Sequence, residues 1–323
     1  MLLYAFVKLL TLAKIFYPCY NKRMNGENTI FQDEFSGLLQ NCTLCPVECH
    51  ANREKSAGIC GVNGISVAKY YLHPFEEPCI SFKNGSGTIF FTGCNLRCPF
   101  CQNYELSRAT RGKSLTPYEL ADVFKRLEDS GAENISLVTP THVLPYLVRA
   151  LRVYKPKIPV VYNTGGYEKI DALKSIDEYV DIYLPDLKFY SPALSARYLG
   201  KEDYFDVASE AVLFMSQKPL KMTSDGKMLS GLIVRHLVMP LCSGDSKTIV
   251  KWFSKHLKDG AYLSLMRQYT PFGAIENYPE LARKITAREY NAVVNTAIEQ
   301  GVENLFIQDA DSAKQSYIPT WDF

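Results

Sequence analysis

Three cysteines in one short loop constrain this chain more than any other feature. Cys94, Cys98 and Cys101 have the spacing C-x3-C-x2-C within the run GCNLRCPFCQN. Their thiolates can surround one face of a cubane [4Fe–4S] cluster, which is ordinarily held by four cysteines. Bound by this run alone, the cluster would keep one iron open to another ligand. A structural zinc site is the alternative, but it needs a fourth ligand and favours paired C-x2-C knuckles.

The three cysteines follow a segment that favours a buried strand. Residues 88–92 read TIFFT, a short run of β-branched and aromatic residues. The cysteines therefore lie just beyond the carboxyl end of a predicted strand. Because parallel α/β folds bind their ligands at that end of the strands, we expect the functional site there.

Strand and helix signals alternate along the rest of the chain. The helices predicted over 117–130 and 287–300 each begin at a capping box, Thr116 to Glu119 and Thr286 to Glu289. Alternation of this kind indicates an α/β fold with a parallel sheet. The predicted strands are 88–93, 135–139, 159–163, 181–185, 231–238 and 262–268.

Four further cysteines precede the first of these strands. Cys42, Cys45, Cys49 and Cys60 have the spacing C-x2-C-x3-C-x10-C. Few apolar residues lie between them, so a bound metal would supply the stability that a small core cannot. Zinc and a second iron–sulfur cluster both suit four cysteine ligands, and four unliganded thiols are the remaining interpretation.

Composition argues against several classes of protein. A net charge of +2 gives no basic surface for nucleic acid or an anionic membrane. Ten cysteines in clustered spacings favour metal binding in the reducing cytoplasm over the disulfides of a secreted protein. The chain of 323 residues is long enough for a large domain and a small one. We predict an apolar segment at 1–24, a cysteine-rich metal-binding module at 25–83 and the main domain at 84–323.

The apolar segment at 1–24 does not have the features of a membrane span. Lys8 and Lys14 interrupt it, and its uncharged runs are shorter than the roughly 20 residues that cross a bilayer. We interpret it as a surface helix or as non-native sequence upstream of a start at Met24.

The loop with Phe100 just before its last cysteine resembles the signature of the radical S-adenosylmethionine (radical SAM) superfamily. Five later segments resemble the branch that is similar to pyruvate formate-lyase activating enzyme: NISLVTPTHVLPYLVRAL, VVYNTGGY, VDIYLPDLKFY, GLIVRHLVMP and SLMRQYTP. The resemblance implies a partial (β/α)6 TIM-like barrel, with a doubly wound open sheet as the structural alternative. It also implies an oxidoreductase in which a [4Fe–4S] cluster reductively cleaves S-adenosylmethionine, and the 5′-deoxyadenosyl radical abstracts hydrogen from a substrate.

The resemblance also implies roles for individual residues. Asp186 and Lys188, in the run PDLKF, would contact the ribose and the methionyl carboxylate, and Arg235 would face the same carboxylate. Many relatives have Gly-Gly-Glu where this chain has Thr-Pro-Thr-His at 139–142, so their glutamate has no counterpart here. The implied catalytic residues are the cluster ligands Cys94, Cys98 and Cys101, and the other predicted cofactor contacts are Phe100, Asn103, Thr139 and Asn163.

The expected partners are a reductant such as flavodoxin or ferredoxin and a protein or small-molecule substrate. A glycyl-radical enzyme is one candidate substrate, and we expect no nucleic acid or membrane partner. The alternative function is an iron–sulfur electron carrier or regulatory protein that does not cleave S-adenosylmethionine. Asp186, Lys188 and Arg235 favour the enzyme, because an electron carrier needs no binder for a methionyl carboxylate.

Overall fold

The computed structural model describes residues 33–108 and 111–309, so the predicted segment 1–24 lies outside it. Within these ranges no helix is long and apolar enough to cross a membrane. The strands are β1 (Ile65–His73), β2 (Ser86–Phe91), β3 (Lys113–Leu115), β4 (Ile135–Val138), β5 (Val160–Thr164), β6 (Ile182–Pro185), β7 (Lys221–Met222), β8 (Met228–Leu237), β9 (Tyr262–Met266) and β10 (Leu305–Ile307). The helices are α1 (Ser36–Gln40), α2 (Pro78–Ser81), α3 (Tyr104–Ser107), α4 (Pro117–Asp129), α5 (Leu144–Val153), α6 (Ile170–Ile176), α7 (Pro192–Leu199), α8 (Tyr204–Met215), α9 (Ser243–His256) and α10 (Ala287–Glu299).

The strands form one sheet in the order β10-β9-β8-β6-β5-β4-β2-β1-β3, with β7 paired to β8. From β2 to β10 the strands along this path are parallel, whereas β1 runs antiparallel to both β2 and β3. The parallel strands lie side by side in chain order, without the reversal of order that defines a doubly wound sheet. The fold is therefore a partial TIM-like barrel, as predicted, and its sheet is not closed.

All six predicted parallel strands are present, and their ends differ from the prediction by a few residues. The first, predicted over 88–93, spans Ser86–Phe91. Both capping boxes are confirmed, because the Thr116 and Thr286 side chains each accept from the backbone N–H three residues on. The sequence interpretation missed β1, β3 and β10. It missed β1 because we took the cysteine-rich segment to be mainly loops.

The two faces of the sheet have different neighbours. One face packs against the helices, and the large core there includes Phe124 of α4, Leu147 of α5 and Val293 of α10. The opposite face, here called the inner face, carries a smaller apolar cluster that also includes two residues of α2. The members of this cluster are Cys79, Ile80, Val161, Ile182, Leu184, Met228 and Ile233.

The connection between β1 and β2 covers the amino end of the inner face. Cys79 and Ile80 of α2 pack there, and the Ile80 carbonyl accepts a hydrogen bond from Asn134 Nδ2 at 2.8 Å. Asn134 Oδ1 in turn accepts from the Ser86 hydroxyl at 2.6 Å, which fixes the connection to the start of β2. The inner face is thus filled at the amino ends of the strands, and space for chemistry lies at their carboxyl ends.

The cysteine-rich segment is fastened to the sheet and to α5. It contributes β1 and α2, so part of the predicted module at 25–83 belongs to the main sheet. Asp33 accepts two hydrogen bonds from Arg149 at 2.8 and 2.9 Å, and the Tyr146 hydroxyl donates to the Asn63 carbonyl at 2.7 Å. These contacts hold the four predicted metal-binding cysteines beside the carboxyl ends of the strands.

Candidate active site

Polar side chains occupy the inner face at the carboxyl ends of three neighbouring strands. Asn163 of β5, Asp186 after β6 and Arg235 of β8 each lie two residues beyond an aliphatic member of the inner-face cluster. Because side chains alternate along a strand, each shares the face of that aliphatic residue. Arg235 Nη2 donates to Asn163 Oδ1 at 2.7 Å, and Arg235 Nε donates to Asp186 Oδ1 at 2.9 Å. Three of the predicted cofactor contacts therefore meet at one place.

Lys188 completes this polar group from the same strand end as Asp186. Its Nζ donates to Asp186 Oδ2 at 2.6 Å, so the carboxylate lies between two cations. Burial alone would raise the pKa of Asp186, but Arg235 and Lys188 outweigh it and hold that pKa below the ordinary value. Burial alone would lower the pKa of Lys188, but the negative charge of Asp186 outweighs burial and raises that pKa. Both groups are therefore charged at neutral pH.

Two acidic residues that the sequence interpretation missed lie on the far side of Arg235. Glu76 Oε2 is 3.7 Å from Arg235 Nη1, and Glu76 Oε1 accepts from Asn163 Nδ2 at 3.4 Å. Burial raises the pKa of Glu76, and it raises that of Glu77 to about 7, although Arg235 opposes both shifts. The only sequence signal was a pair of acids beside Pro78. Arg235 thus has several carboxyl neighbours within the protein itself.

The loop that carries the three cysteines, residues 93–103, has an irregular backbone. Gly93 begins it with a φ of 88°, and its N–H donates to the Leu106 carbonyl at 2.7 Å. Arg97 also has a positive φ of 50°. The Leu96 N–H is 3.4 Å from Cys94 Sγ, so the backbone already offers a donor to one sulfur. This cysteine loop can therefore stabilise negative charge on its thiolates.

The three thiols are a donor set that fits a [4Fe–4S] cluster. Burial raises the pKa of Cys98 to about 12 and that of Cys101 to about 11, with smaller effects from the neighbouring thiols and from Lys188. Among the described residues, no three His, Cys, Asp or Glu side chains surround a point suited to one metal ion. A cubane does not require such a point, because each cysteine binds a different iron. The donor set therefore fits a [4Fe–4S] cluster, whose binding would release the thiol protons.

A small cavity joins the cysteine loop to the polar group. It is lined by Phe100, Asp186, Lys188, Phe189, Leu237 and Met239. Phe100 lies edge-on to Phe189, with ring centroids 6.1 Å apart. The residue before the last cysteine and the two charged residues after β6 therefore share one space.

Thr139 and Asn103, two predicted cofactor contacts, are not among the residues that form the polar group. Thr139 directly follows β4 and has a φ of 60°, which is uncommon for a residue other than glycine. Its N–H donates to the Asn163 carbonyl at 2.8 Å. Asn103 precedes α3, and its side chain does not cap that helix. The described structure records no side-chain hydrogen bond from either residue to the polar group.

Tyr204 is a further residue that the sequence interpretation missed. Its hydroxyl lies 2.8 Å from the carbonyl oxygens of Gly165 and Asp186, and it accepts from the Lys188 N–H at 3.1 Å. The ring thus fixes the backbone from which Asp186 and Lys188 project. A tyrosine near a helix start carries no sequence signal for this role.

Gly93 brings the cysteine loop against the cysteine-rich segment, and replacing it should be costly. A Cβ at this position would lie 2.7 Å from the Cys60 carbonyl oxygen and 3.1 Å from His142 Nε2. Overpacking typically costs about 1–3 kcal/mol, and the positive φ adds strain. We expect Gly93→Ala to lower the thermal midpoint and the iron content. Gly64→Ala is the control, since a Cβ there would meet nothing within 4 Å; equal midpoints for the two variants would contradict the expectation.

Glu168 is a buried acid between the sheet and the cysteine-rich segment. The hydroxyls of Thr141 and Thr164 donate to its Oε1, the first at 2.5 Å. Burial raises the pKa of Glu168 to about 7, although the two hydroxyl bonds oppose the shift. Thr141 lies just beyond β4 and Thr164 ends β5, so Glu168 is bonded to two threonines of the buried interior.

Glu168 should make stability depend on pH. Because its pKa is raised in the folded state, the unfolded chain loses the proton first as pH rises from about 4.5 to about 7. Stability should therefore fall over this interval by up to about 3 kcal/mol and level off above it. Glu168→Gln should flatten this slope in anaerobic thermal unfolding at several pH values. Glu210→Gln, an exposed change on α8, should leave the slope intact; an unchanged slope in both variants would assign it to other groups.

Comparisons with known proteins find a family model, a relative and solved structures that are similar to this chain. Residues 88–224 match the family model described as the Radical SAM superfamily. An uncharacterized protein of Methanocaldococcus jannaschii is 29% identical over 282 residues, which cover 83% of this chain and 78% of that protein. HydG, a maturase of the [FeFe]-hydrogenase, is 15% identical with a TM-score of 0.46, over 69% of this chain and 52% of that structure.

Streptococcus suis SuiB, bound to precursor peptide SuiA, is 15% identical with a TM-score of 0.44. The match covers 67% of this chain and 46% of that structure. The chain thus spans about half the length of these two solved structures.

Proposed function

We propose that this chain is an enzyme that reductively cleaves S-adenosylmethionine. The proposal starts from the match of residues 88–224 to the radical SAM superfamily model. Cys94, Cys98 and Cys101 would hold a [4Fe–4S] cluster. The bound cluster would supply the electron for cleavage, and the resulting 5′-deoxyadenosyl radical would abstract hydrogen from a substrate.

The observation that carries this proposal is the shared cavity. Phe100 of the cysteine loop lines the same space as Asp186 and Lys188. A carboxylate acceptor suits ribose hydroxyls, and an ammonium suits a methionyl carboxylate. A cluster ligand loop and groups of both charges within one cavity support binding of a zwitterionic nucleoside sulfonium beside the cluster.

Arg235 is best assigned a positioning role in this proposal. Its guanidinium is bonded to Asp186 and Asn163 and lies near Glu76. Because the planar guanidinium is held by these partners, it orients the Asp186 carboxylate. Lys188 is then the cation nearer the cysteine loop. The carboxylate-facing role that the resemblance implies would require Arg235 to leave one of these bonds when the cofactor binds.

The proposal includes partners that fit this chemistry. A flavodoxin or ferredoxin would reduce the cluster, and clustered thiol ligands suit the reducing cytoplasm. The substrate is a protein or a small molecule, and a glycyl-radical enzyme is one candidate. Zinc or a second iron–sulfur cluster would be the additional metal centre of the cysteine-rich segment.

One assay separates this enzyme from an iron–sulfur electron carrier. Anaerobically purified protein, loaded with iron and sulfide, is reduced with dithionite in the presence of S-adenosylmethionine. We expect release of 5′-deoxyadenosine and methionine in equal amounts, measured by liquid chromatography. A reduced cluster that releases neither product over many hours would favour the electron carrier.

A further inference from the structure

We propose that Cys42, Cys45, Cys49 and Cys60 bind one metal centre as four thiolates, with the buried guanidinium of Arg53 as its charge partner. The centre would be a zinc ion or a second cubane cluster, and in either case four thiolates would leave it with a net negative charge. The centre would help to fix the segment that contacts the cysteine loop. This inference goes beyond cleavage of S-adenosylmethionine and does not depend on it.

The backbone gathers these four thiols although 18 positions separate the first from the last. The Cys42 N–H donates to the Ala51 carbonyl at 3.1 Å, and the His50 N–H donates back to Cys42 at 3.0 Å. Glu48 and His50, on either side of Cys49, have positive φ values of 43° and 54°. Positive φ at two ordinary residues is an uncommon and strained conformation. The loop is therefore shaped to present the Cys49 side chain.

Two of the sulfur atoms lie close to Gly58. A Cβ on this glycine would lie 3.2 Å from Cys49 Sγ and 3.5 Å from Cys60 Sγ. Cys42, Cys45 and Cys60 are buried, whereas Cys49 is half-buried. The four thiols thus occupy one poorly hydrated region with little room for other side chains.

Arg53 lies among these thiols without an acidic partner. Its side chain is 2% exposed, and Nη1 is 3.9 Å from Cys42 Sγ. Nη2 donates to the His142 carbonyl at 3.1 Å, and the buried Nε has no hydrogen-bond partner. Within residues 33–108 and 111–309, no carboxylate lies within ion-pair distance of this guanidinium.

A buried charge of this kind needs an opposite charge. Removing an ion from water costs several kcal/mol in a real protein, so unpaired buried guanidinium groups are rare. Neutral thiols cannot offset that cost, whereas metal-bound thiolates can. The unpartnered cation beside four cysteines is therefore the independent indication of an anionic centre.

The thiols would draw together when the metal binds. In the described residues they do not yet surround a single point suited to one ion. Cubane coordination would require less movement than zinc, because its four cysteines attach at separate corners. Metal analysis decides between the two.

The segment that carries the four cysteines is in direct contact with the cysteine loop. The Cys60 carbonyl accepts from the Cys94 N–H at 3.2 Å, and the Ile59 carbonyl lies 3.5 Å from Arg97 Nη1. His142, whose carbonyl binds Arg53, uses its Nε2 to hold the Thr92 carbonyl at 2.7 Å. Two contacts thus connect the four-cysteine segment directly to the start and middle of that loop, and His142 links Arg53 to the residue just before the loop.

The test counts metal in protein that cannot hold the barrel cluster. In the full chain with Cys94, Cys98 and Cys101 replaced by alanine, we expect one zinc or about four irons per chain to remain after anaerobic purification. Adding Cys45→Ala and Cys49→Ala should remove that metal. The matched control adds Cys79→Ala and Cys242→Ala, two isolated buried cysteines, and should retain it.

Two results would overturn the inference: no metal in the triple variant, or metal that survives loss of Cys45 and Cys49. If the triple variant does not fold, Cys45→Ala with Cys49→Ala in the native chain must lose one centre while the barrel cluster remains. Neither result depends on 5′-deoxyadenosine release, so failure here and failure of the proposed enzyme activity are distinguishable.

Arg53 is tested by the rate at which a chelator removes the metal. Loss of a partner around the ligands typically weakens metal affinity about 10–100-fold. We expect release at least about tenfold faster from Arg53→Met, and a smaller change from Arg53→Lys, which keeps the charge. Arg152→Met, at an exposed ion pair with Glu34, is the control. Equal release from Arg53→Met and the control would overturn the assignment of Arg53.

Discussion

Replacing Cys94, Cys98 and Cys101 together with alanine should remove one [4Fe–4S] cluster and abolish release of 5′-deoxyadenosine. The effect should be complete, because these three are the only cysteines of the loop whose Phe100 lines one cavity with Asp186 and Lys188. Iron and sulfide per chain, the cluster absorption and the nucleoside product measure the loss.

The control for this variant is replacement of Cys79 and Cys242, two buried cysteines that are not part of the cysteine loop. It should keep the iron, the absorption and the product. Unchanged iron in the triple-alanine protein would show that the cysteine loop is not the cluster site.

Lys188→Met should weaken binding of S-adenosylmethionine strongly and leave the iron content normal. Lys188 is 19% exposed, and its ammonium is bonded to Asp186 beside the cysteine loop. Losing one charged partner from such a site typically costs about 2–5 kcal/mol, or roughly 30-fold to several-thousand-fold in affinity. Equilibrium binding to anaerobic, cluster-loaded protein measures the change.

Lys174→Met is the matched control, because Lys174 forms an ion pair with Asp171 at the surface and its side chain is 62% exposed. Such a pair is worth at most about 1 kcal/mol and lies on helix α6, so affinity should change by less than about threefold. If Lys188→Met binds as tightly as this control, Lys188 has no part in cofactor binding.

The parallel strands of the fold were predictable from sequence because their signals are local. Each strand is a short apolar run, and helices such as α4 and α10 begin at a capping box that can be recognised in the sequence. Strand β1 carries two tyrosines and a lysine in mixed order, and it is stabilised by pairing with β2. Because β1 is stabilised by pairing with another strand, its own residues show little of the alternation that marks a strand, and the sequence interpretation missed it.

The site was partly predictable for the same reason. Asn163, Asp186 and Arg235 each lie close to the carboxyl end of a strand, and the carboxyl ends of parallel strands meet at one edge of the sheet. The structure brings these residues together, while their contacts with a cofactor stay predictions. Glu76 and Tyr204 reach the group from a connection and a helix that no spacing rule relates to it.

The connection that fills the amino end of the inner face has a kinetic consequence for the proposed enzyme. With α2 packed there, the described chain leaves the carboxyl ends of the strands as the route to the polar group. If cofactor and substrate both enter on this side of the described sheet, the molecule that binds deeper has to bind first. S-adenosylmethionine, bound deepest beside Asp186 and Lys188, would enter before a bulky substrate, and its cleavage products would leave after the product formed from that substrate. Initial-rate kinetics should accordingly follow a compulsory order, with the cofactor first.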